Sequence, residues 1–156
     1  MVLGSSAKLA QRLALGAPAL LLGGAYLSQY GFGLAPCEMC WWQRYPHFAA
    51  VGLALLSTVV EPRKLWIALA ALAILVSGAI GAFHAGVEYG WWEGLTACST
   101  PSLGTGDPLE AIMNAPLVRC DEVQWSLFGI SLAGSNFLIS VVSGIAILLL
   151  LRRKTV

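Results

Sequence analysis

Charge is what this chain has least of. Only 11% of its 156 residues are Asp, Glu, Lys or Arg, and the net charge is +1. An ordinary soluble domain carries about a quarter charged residues. A balance this close to zero gives no bulk electrostatic reason to expect a nucleic acid or an acidic substrate as partner. Strand patterning is missing as well: no βαβ alternation supports a thioredoxin-like fold. There are no internal repeats or low-complexity tracts, so residues 1–156 read as one domain. A second Cys-x-x-Cys knuckle is absent, and the two histidines, His47 and His84, lie inside apolar runs. No metal site is therefore expected. A haem held between those histidines is the remaining metal alternative, and it leaves the cysteines without a role.

What the chain does have is apolar length. Hydrophobic residues make up 58% of it, in four runs at about 13–30, 41–60, 65–87 and 127–151. Each approaches the roughly 20 residues that cross a bilayer core. The expected fold is all-α: a four-transmembrane-helix bundle, with outer loops at 31–40 and 88–126, the long one between helices three and four. A cleaved signal peptide is the alternative for the first run, with Gly23-Gly24-Ala25 as its small-residue site. The run continues through Tyr26-Leu27 with no polar cleavage region, which favours a span. Pro18 and Pro46 fall in the first turns of their runs, where proline is best tolerated. In the third run Ser77, Gly81 and Ala85 recur at helical spacing beside Gly78, Ala82 and Gly86, a stripe that lets helix backbones approach in lipid. Asp107-Pro108-Leu109-Glu110 reads as the capped start of a short amphipathic helix resting on the membrane.

Charge placement orients the bundle. Lys8, Arg12, Arg63, Lys64, Arg152, Arg153 and Lys154 fall on the side of the termini, and only Arg44 and Arg119 on the other. The positive-inside rule makes the termini cytoplasmic and the cysteine loops external, which in a bacterium means periplasmic. Trp41, Trp42, Trp91, Trp92 and Trp125 gather at that outer boundary, where amphipathic rings anchor.

All four cysteines then lie on the oxidising side. A bridge from Cys98 to Cys120 closes a loop worth on the order of 3 kcal/mol, so a structural staple is a sufficient reading of that pair. It does not explain Cys37 and Cys40. A bridge across two intervening residues closes almost nothing, and such pairs are kept for exchange chemistry or for a metal. Arg44 stands four residues after Cys40, on the same helical face. A cation within about 4–6 Å lowers a thiol pKa by roughly 1–3 units, and a helix N-terminus adds to it. Cys40 is thus the better thiolate and Cys37 the more exposed, exchanging sulfur. His84 and Glu88, also four apart, share a face of the third span, with Glu88 read as an interfacial acid.

The ordered set resembles the bacterial disulfide bond formation protein B (DsbB) family over nearly the whole chain. Its most specific stretches are Pro36-Cys37-Glu38-Met39-Cys40-Trp41-Trp42-Gln43-Arg44 and the segment from Cys120 to Ser131. The vitamin K epoxide reductase-like proteins also have four spans and four cysteines, but there the Cys-x-x-Cys follows the loop cysteines, whereas here it precedes them. The resemblance implies an inner-membrane thiol oxidase that reoxidises a periplasmic thioredoxin-like (DsbA-like) oxidant and passes the electrons to ubiquinone or menaquinone. It implies that Cys98 forms the mixed disulfide with the partner and Cys120 resolves it toward Cys37. It implies that Cys40 is the thiolate beside the quinone ring and that Arg44 holds a quinone oxygen, with His84 a looser match near the ring. The partners expected are that oxidant, quinone and lipid, with no nucleic acid. A disulfide-stapled membrane anchor without redox turnover is the alternative.

Overall fold

The computed structural model describes residues 4–95 and 118–153. Cys98 and the short helix expected at Asp107 lie outside the described residues. The elements are α1 (Ser5–Gly31), α2 (Glu38–Val59), α3 (Arg63–Glu88), β1 (Ser126–Leu127), β2 (Ile130–Ser131) and α4 (Leu132–Arg152).

The first two helices start before their apolar runs do. In α1, Ala7, Ala10 and Ala14 recur at helical spacing and are buried, so packing extends the helix back to Ser5. Pro18 consequently sits in the helix interior, fully buried, and not in the first turn. Its ring removes one helical N–H, a loss that neighbouring helices can make good in a bundle. Pro46 is likewise interior, because α2 starts at Glu38. That start is set by a cap: Cys37 has extended backbone, and its Sγ accepts the Cys40 N–H at 3.2 Å.

The last helix starts later than its run. Residues 126–131 form a hairpin in which Ser126 pairs with Ser131 and Leu127 with Ile130. Phe128 and Gly129 make the turn with φ of 52° and 80°, the two left-handed residues of a type I′ turn, with glycine second. Tyr89, just past α3, holds the hairpin. Its hydroxyl donates to Gly129 O at 2.9 Å and accepts the Ser131 N–H at 3.0 Å. Ser131 Oγ then caps α4 by accepting the Gly134 N–H at 3.1 Å.

Helix α3 packs against α2 and α4, and α1 closes the bundle between α4 and α2. Much of the core is alanine: Ala10, Ala14, Ala50, Ala54, Ala70 and Ala71 pack with Ile67, Ile74 and Ile147. Small side chains bring the backbones close, the packing mode of helices in lipid. Many of the larger apolar groups point outward instead. On α4, Leu138, Val142, Ile145 and Leu149 recur at helical spacing and are all exposed. Helices α3 and α4 are long and apolar enough to cross a membrane.

Candidate thiol and cavity site

The cap of α2 is also the centre of the site. Cys37 Sγ donates to Cys40 Sγ at 2.9 Å, and both are thiols. Cys37 is 1% exposed, in a cluster with Met39, Val87 and Cys120. The expected division of exposure is thus reversed: Cys37 is the buried sulfur and Cys40 the partly open one. The cap is the reason, since it turns the Cys37 side chain in over the first turn of α2. Cys120, from the far loop, hydrogen-bonds the Cys37 thiol. His84 Nε2 approaches the same sulfur at 3.6 Å. The Sγ atoms of Cys37 and Cys120 and a ring nitrogen of His84 all lie within 4.8 Å of one another, a spacing that metal ligands also adopt.

The two thiols of the pair are driven apart. The hydrogen bond to Cys40 and then burial push the Cys37 thiol far above the ordinary range. The same bond, received by Cys40, pulls that thiol below it. Arg44 contributes in the expected direction but as the smallest of the causes, after the Cys37 hydrogen bond, burial, the helix-end N–H and Glu88. Lower pKa means a larger thiolate fraction at a given pH, so alkylation reads the effect. In the reduced chain, iodoacetamide modification of the Cys40 peptide, followed by mass spectrometry, has a midpoint below the about 8.5 of a free cysteine. Replacing Cys37 by alanine raises that midpoint; an unmoved midpoint means that Cys37 is not its source.

Arg44 is buried, and its charge is used locally. Nη1 donates to Gln29 Oε1 at 2.7 Å and Nη2 to Ala25 O at 3.2 Å, both on α1. The guanidinium also lies over Tyr26 and Trp41, 4.9 and 4.8 Å from the ring centroids. It thereby forms part of the wall of a cavity of about 230 Å³ between α1, α2 and α4. Leu20, Leu21 and Leu132 give that cavity apolar sides, and Cys40, Arg44 and His47 give it polar atoms. Among the described cysteines only Cys40 lines it. His84 is not among the lining residues and stands on the Cys37 side instead. Glu88 is not an exposed interfacial acid: its side chain is 7% exposed, with Oε1 3.9 Å from His84 Nε2.

Three residues of the site are not marked by their sequence spacing as partners of the cysteines: Gln43, His47 and Asn136. Gln43 Nε2 lies 2.8 Å from His84 Nδ1, Asn136 Nδ2 donates to Gln43 Oε1 at 2.8 Å, and Asn136 Oδ1 lies 2.8 Å from His47 Nε2. The chain of bonds runs from the Cys37 side to the cavity. Gly81 makes room for it, since a Cβ there would stand 3.0 Å from both Ala133 O and Asn136 Nδ2 and 3.1 Å from Gln43 Oε1. The available signal is the period of the polar residues. Gln43 and His47 are four apart in one apolar run, and Asn136 is the lone amide in another.

A thiol pair in a helical bundle, two of whose helices are long and apolar enough to cross a membrane, with a third sulfur hydrogen-bonded to one member and a cavity open to the other, has the parts of a helical protein for thiol–disulfide chemistry. The chain belongs to the DsbB family: the model described as disulfide bond formation protein DsbB matches residues 7–150. Similar proteins named disulfide bond formation protein B occur in Verminephrobacter eiseniae, 34% identical over 90% of this chain and 83% of the relative. Another, in Chromohalobacter salexigens, is 31% identical over 85% of this chain and 80% of the relative. An uncharacterized protein of Rickettsia prowazekii is 24% identical over 78% of this chain and 74% of its own length. No solved structure matches.

Proposed function

We propose that this chain is a quinone-dependent thiol oxidase that reoxidises a periplasmic, DsbA-like dithiol oxidant. The observation that carries the reading is the two-sided placement of one thiol pair: Cys37 hydrogen-bonds Cys120, while Cys40 lines the cavity. Residues 1–156 form a single membrane domain with four spans, termini in the cytoplasm and the loops 31–40 and 88–126 in the periplasm. The apolar length of α3 and α4 and the outward apolar stripe of α4 support this topology.

The relay runs inward. A partner thiolate attacks Cys98 of a Cys98–Cys120 disulfide, forming a mixed disulfide and releasing the Cys120 thiolate. Cys120 attacks Cys37 of the Cys37–Cys40 disulfide, and the bond between them breaks to leave Cys40 as thiolate. The second partner thiol then displaces Cys98, completing the partner's disulfide. The freed Cys98 attacks Cys120, re-forming their disulfide and releasing Cys37, so that the two electrons rest on the Cys37–Cys40 dithiol, which closes to a disulfide as it gives them up. Cys40 is suited to be the leaving sulfur, because its thiolate is the favoured form. A quinone, ubiquinone or menaquinone, accepts two electrons and two protons when bound. The cavity fits such a ring: apolar sides, the charge of Arg44 for a ring oxygen and the Cys40 sulfur at its edge. A DsbA-type oxidant, near −120 mV, needs an acceptor more oxidising than itself, which a quinone is.

The test mixes the purified chain in lipid with a reduced periplasmic oxidase and a short-chain quinone. Stoichiometric partner oxidation and quinone reduction are expected, and partner oxidation without quinone reduction overturns the proposal.

A further inference from the structure

The constellation of Cys37, Cys120 and His84 has the composition and spacing of a soft-metal site. Whether His84 can ligate depends on which ring nitrogen carries its proton. A histidine that binds a metal through Nε2 needs a lone pair there, and it carries its proton on Nδ1, donated to an acceptor behind the ring.

Two backbone carbonyls decide the matter. Gln43 Nε2 lies 3.2 Å from Met39 O, and Asn136 Nδ2 lies 3.2 Å from Ser77 O. A carbonyl only accepts, so both amides are oriented with their NH2 groups toward those oxygens. Gln43 Oε1 then accepts from Asn136 Nδ2, and the remaining Gln43 N–H points at His84 Nδ1, 2.8 Å away. On the other side Ser140 Oγ donates to Asn136 Oδ1 at 3.0 Å, which holds that amide the same way round. His84 Nδ1 faces a donor and must accept. The proton of the neutral ring is on Nε2, facing the Cys120 carbonyl, which accepts from His84, together with the Cys37 sulfur at 3.6 Å and Glu88 at 3.9 Å.

We propose that Gln43, itself held by Asn136, is a positioning residue that locks His84 in the Nε2–H tautomer, making it an N–H donor toward the Cys120 carbonyl and the Cys37 sulfur and withholding it as a metal ligand. The donor role rests on the thiol-oxidase reading. When Cys98 attacks Cys120 of the Cys37–Cys120 disulfide, Cys37 is the leaving sulfur and negative charge develops on it, and an N–H already facing it stabilises that charge. The lock also protects the relay, since a zinc ion bridging Cys37 and Cys120 would hold both as thiolates and stop exchange.

The tests need neither quinone nor partner, so they stand even if the chain proves to have no oxidase activity. In the reduced, full-length chain in lipid nanodiscs, nitrogen NMR of labelled histidine has two side chains to resolve, and a His47→Phe variant assigns them. His84 is expected as the Nε2–H tautomer. Gln43→Glu places an acceptor behind the ring and moves the proton to Nδ1. Zinc affinity of the reduced chain, titrated with the metal alone, then rises about 10–100-fold. Asn136→Asp, which removes the donor that holds Gln43, moves the tautomer the same way without changing the residue next to His84. An Nδ1–H tautomer in the unaltered chain overturns the proposal. So does a rise in zinc affinity with the tautomer unmoved, because the new carboxylate is then itself the ligand.

Discussion

Serine in place of Cys40 lowers quinone reduction by about a thousand-fold or more, while the first exchange with the partner still proceeds. Cys40 alone among the described cysteines lines the cavity, and its thiol is the one drawn toward thiolate. Serine keeps the size of the side chain, but its hydroxyl forms neither disulfide nor thiolate. The α2 cap survives, because it is made by Cys37. Folding is therefore retained, and helix content with partner capture measured by gel separates loss of chemistry from loss of structure. Undiminished quinone reduction by Cys40→Ser shows that electrons reach the cavity from another sulfur, and the relay falls.

Arg44→Met raises the apparent KM for a short-chain quinone by about 10–100-fold, the range expected for losing a hydrogen bond from a charged group. Methionine keeps length and apolar contact at a cost in lipid lower than that of arginine. The side chain has two tasks, and they can be separated. Its side-chain tether to α1 is the bond to Gln29 Oε1 at 2.7 Å, beside the longer backbone bond to Ala25 O at 3.2 Å. Gln29→Leu removes that tether and leaves the charge, so KM rises only a few-fold. Equal effects of the two replacements mean that Arg44 acts by bracing α1. No effect from Arg44→Met removes it from the binding site.

The helices were legible because lipid-facing packing leaves long apolar runs, but their ends were not. Hydropathy cannot see that a cysteine caps α2, or that Leu127, Phe128 and Ile130, apolar enough for a span, are spent on a hairpin. The i, i+4 relation of Cys40 and Arg44 gave the right neighbourhood, yet Arg44 is the least of the influences on that thiol. Local spacing reports proximity along one helix and says nothing of the partners that Ala25, Gln29 and Tyr26 supply from another. His84 was legible as a polar residue inside an apolar run. Its position on the Cys37 side, away from the cavity, depends on how α2 and α3 pack, which no spacing encodes.

The hairpin held by Tyr89 carries one more consequence, for how the protein sits in its bilayer. Helix α3 has 26 residues and α4 has 21. At 1.5 Å per residue that is about 39 Å against about 32 Å, and only the shorter matches a hydrocarbon core of about 30 Å. The C-terminal turns of α3, with His84 and Glu88, stand beside a hairpin whose polar backbone is paired across its two strands. Such a step is a point of hydrophobic mismatch: a thicker membrane draws it into the hydrocarbon, and a thinner one leaves it wet. On the proposed topology, bilayer thickness then sets how deep His84 and Glu88 lie.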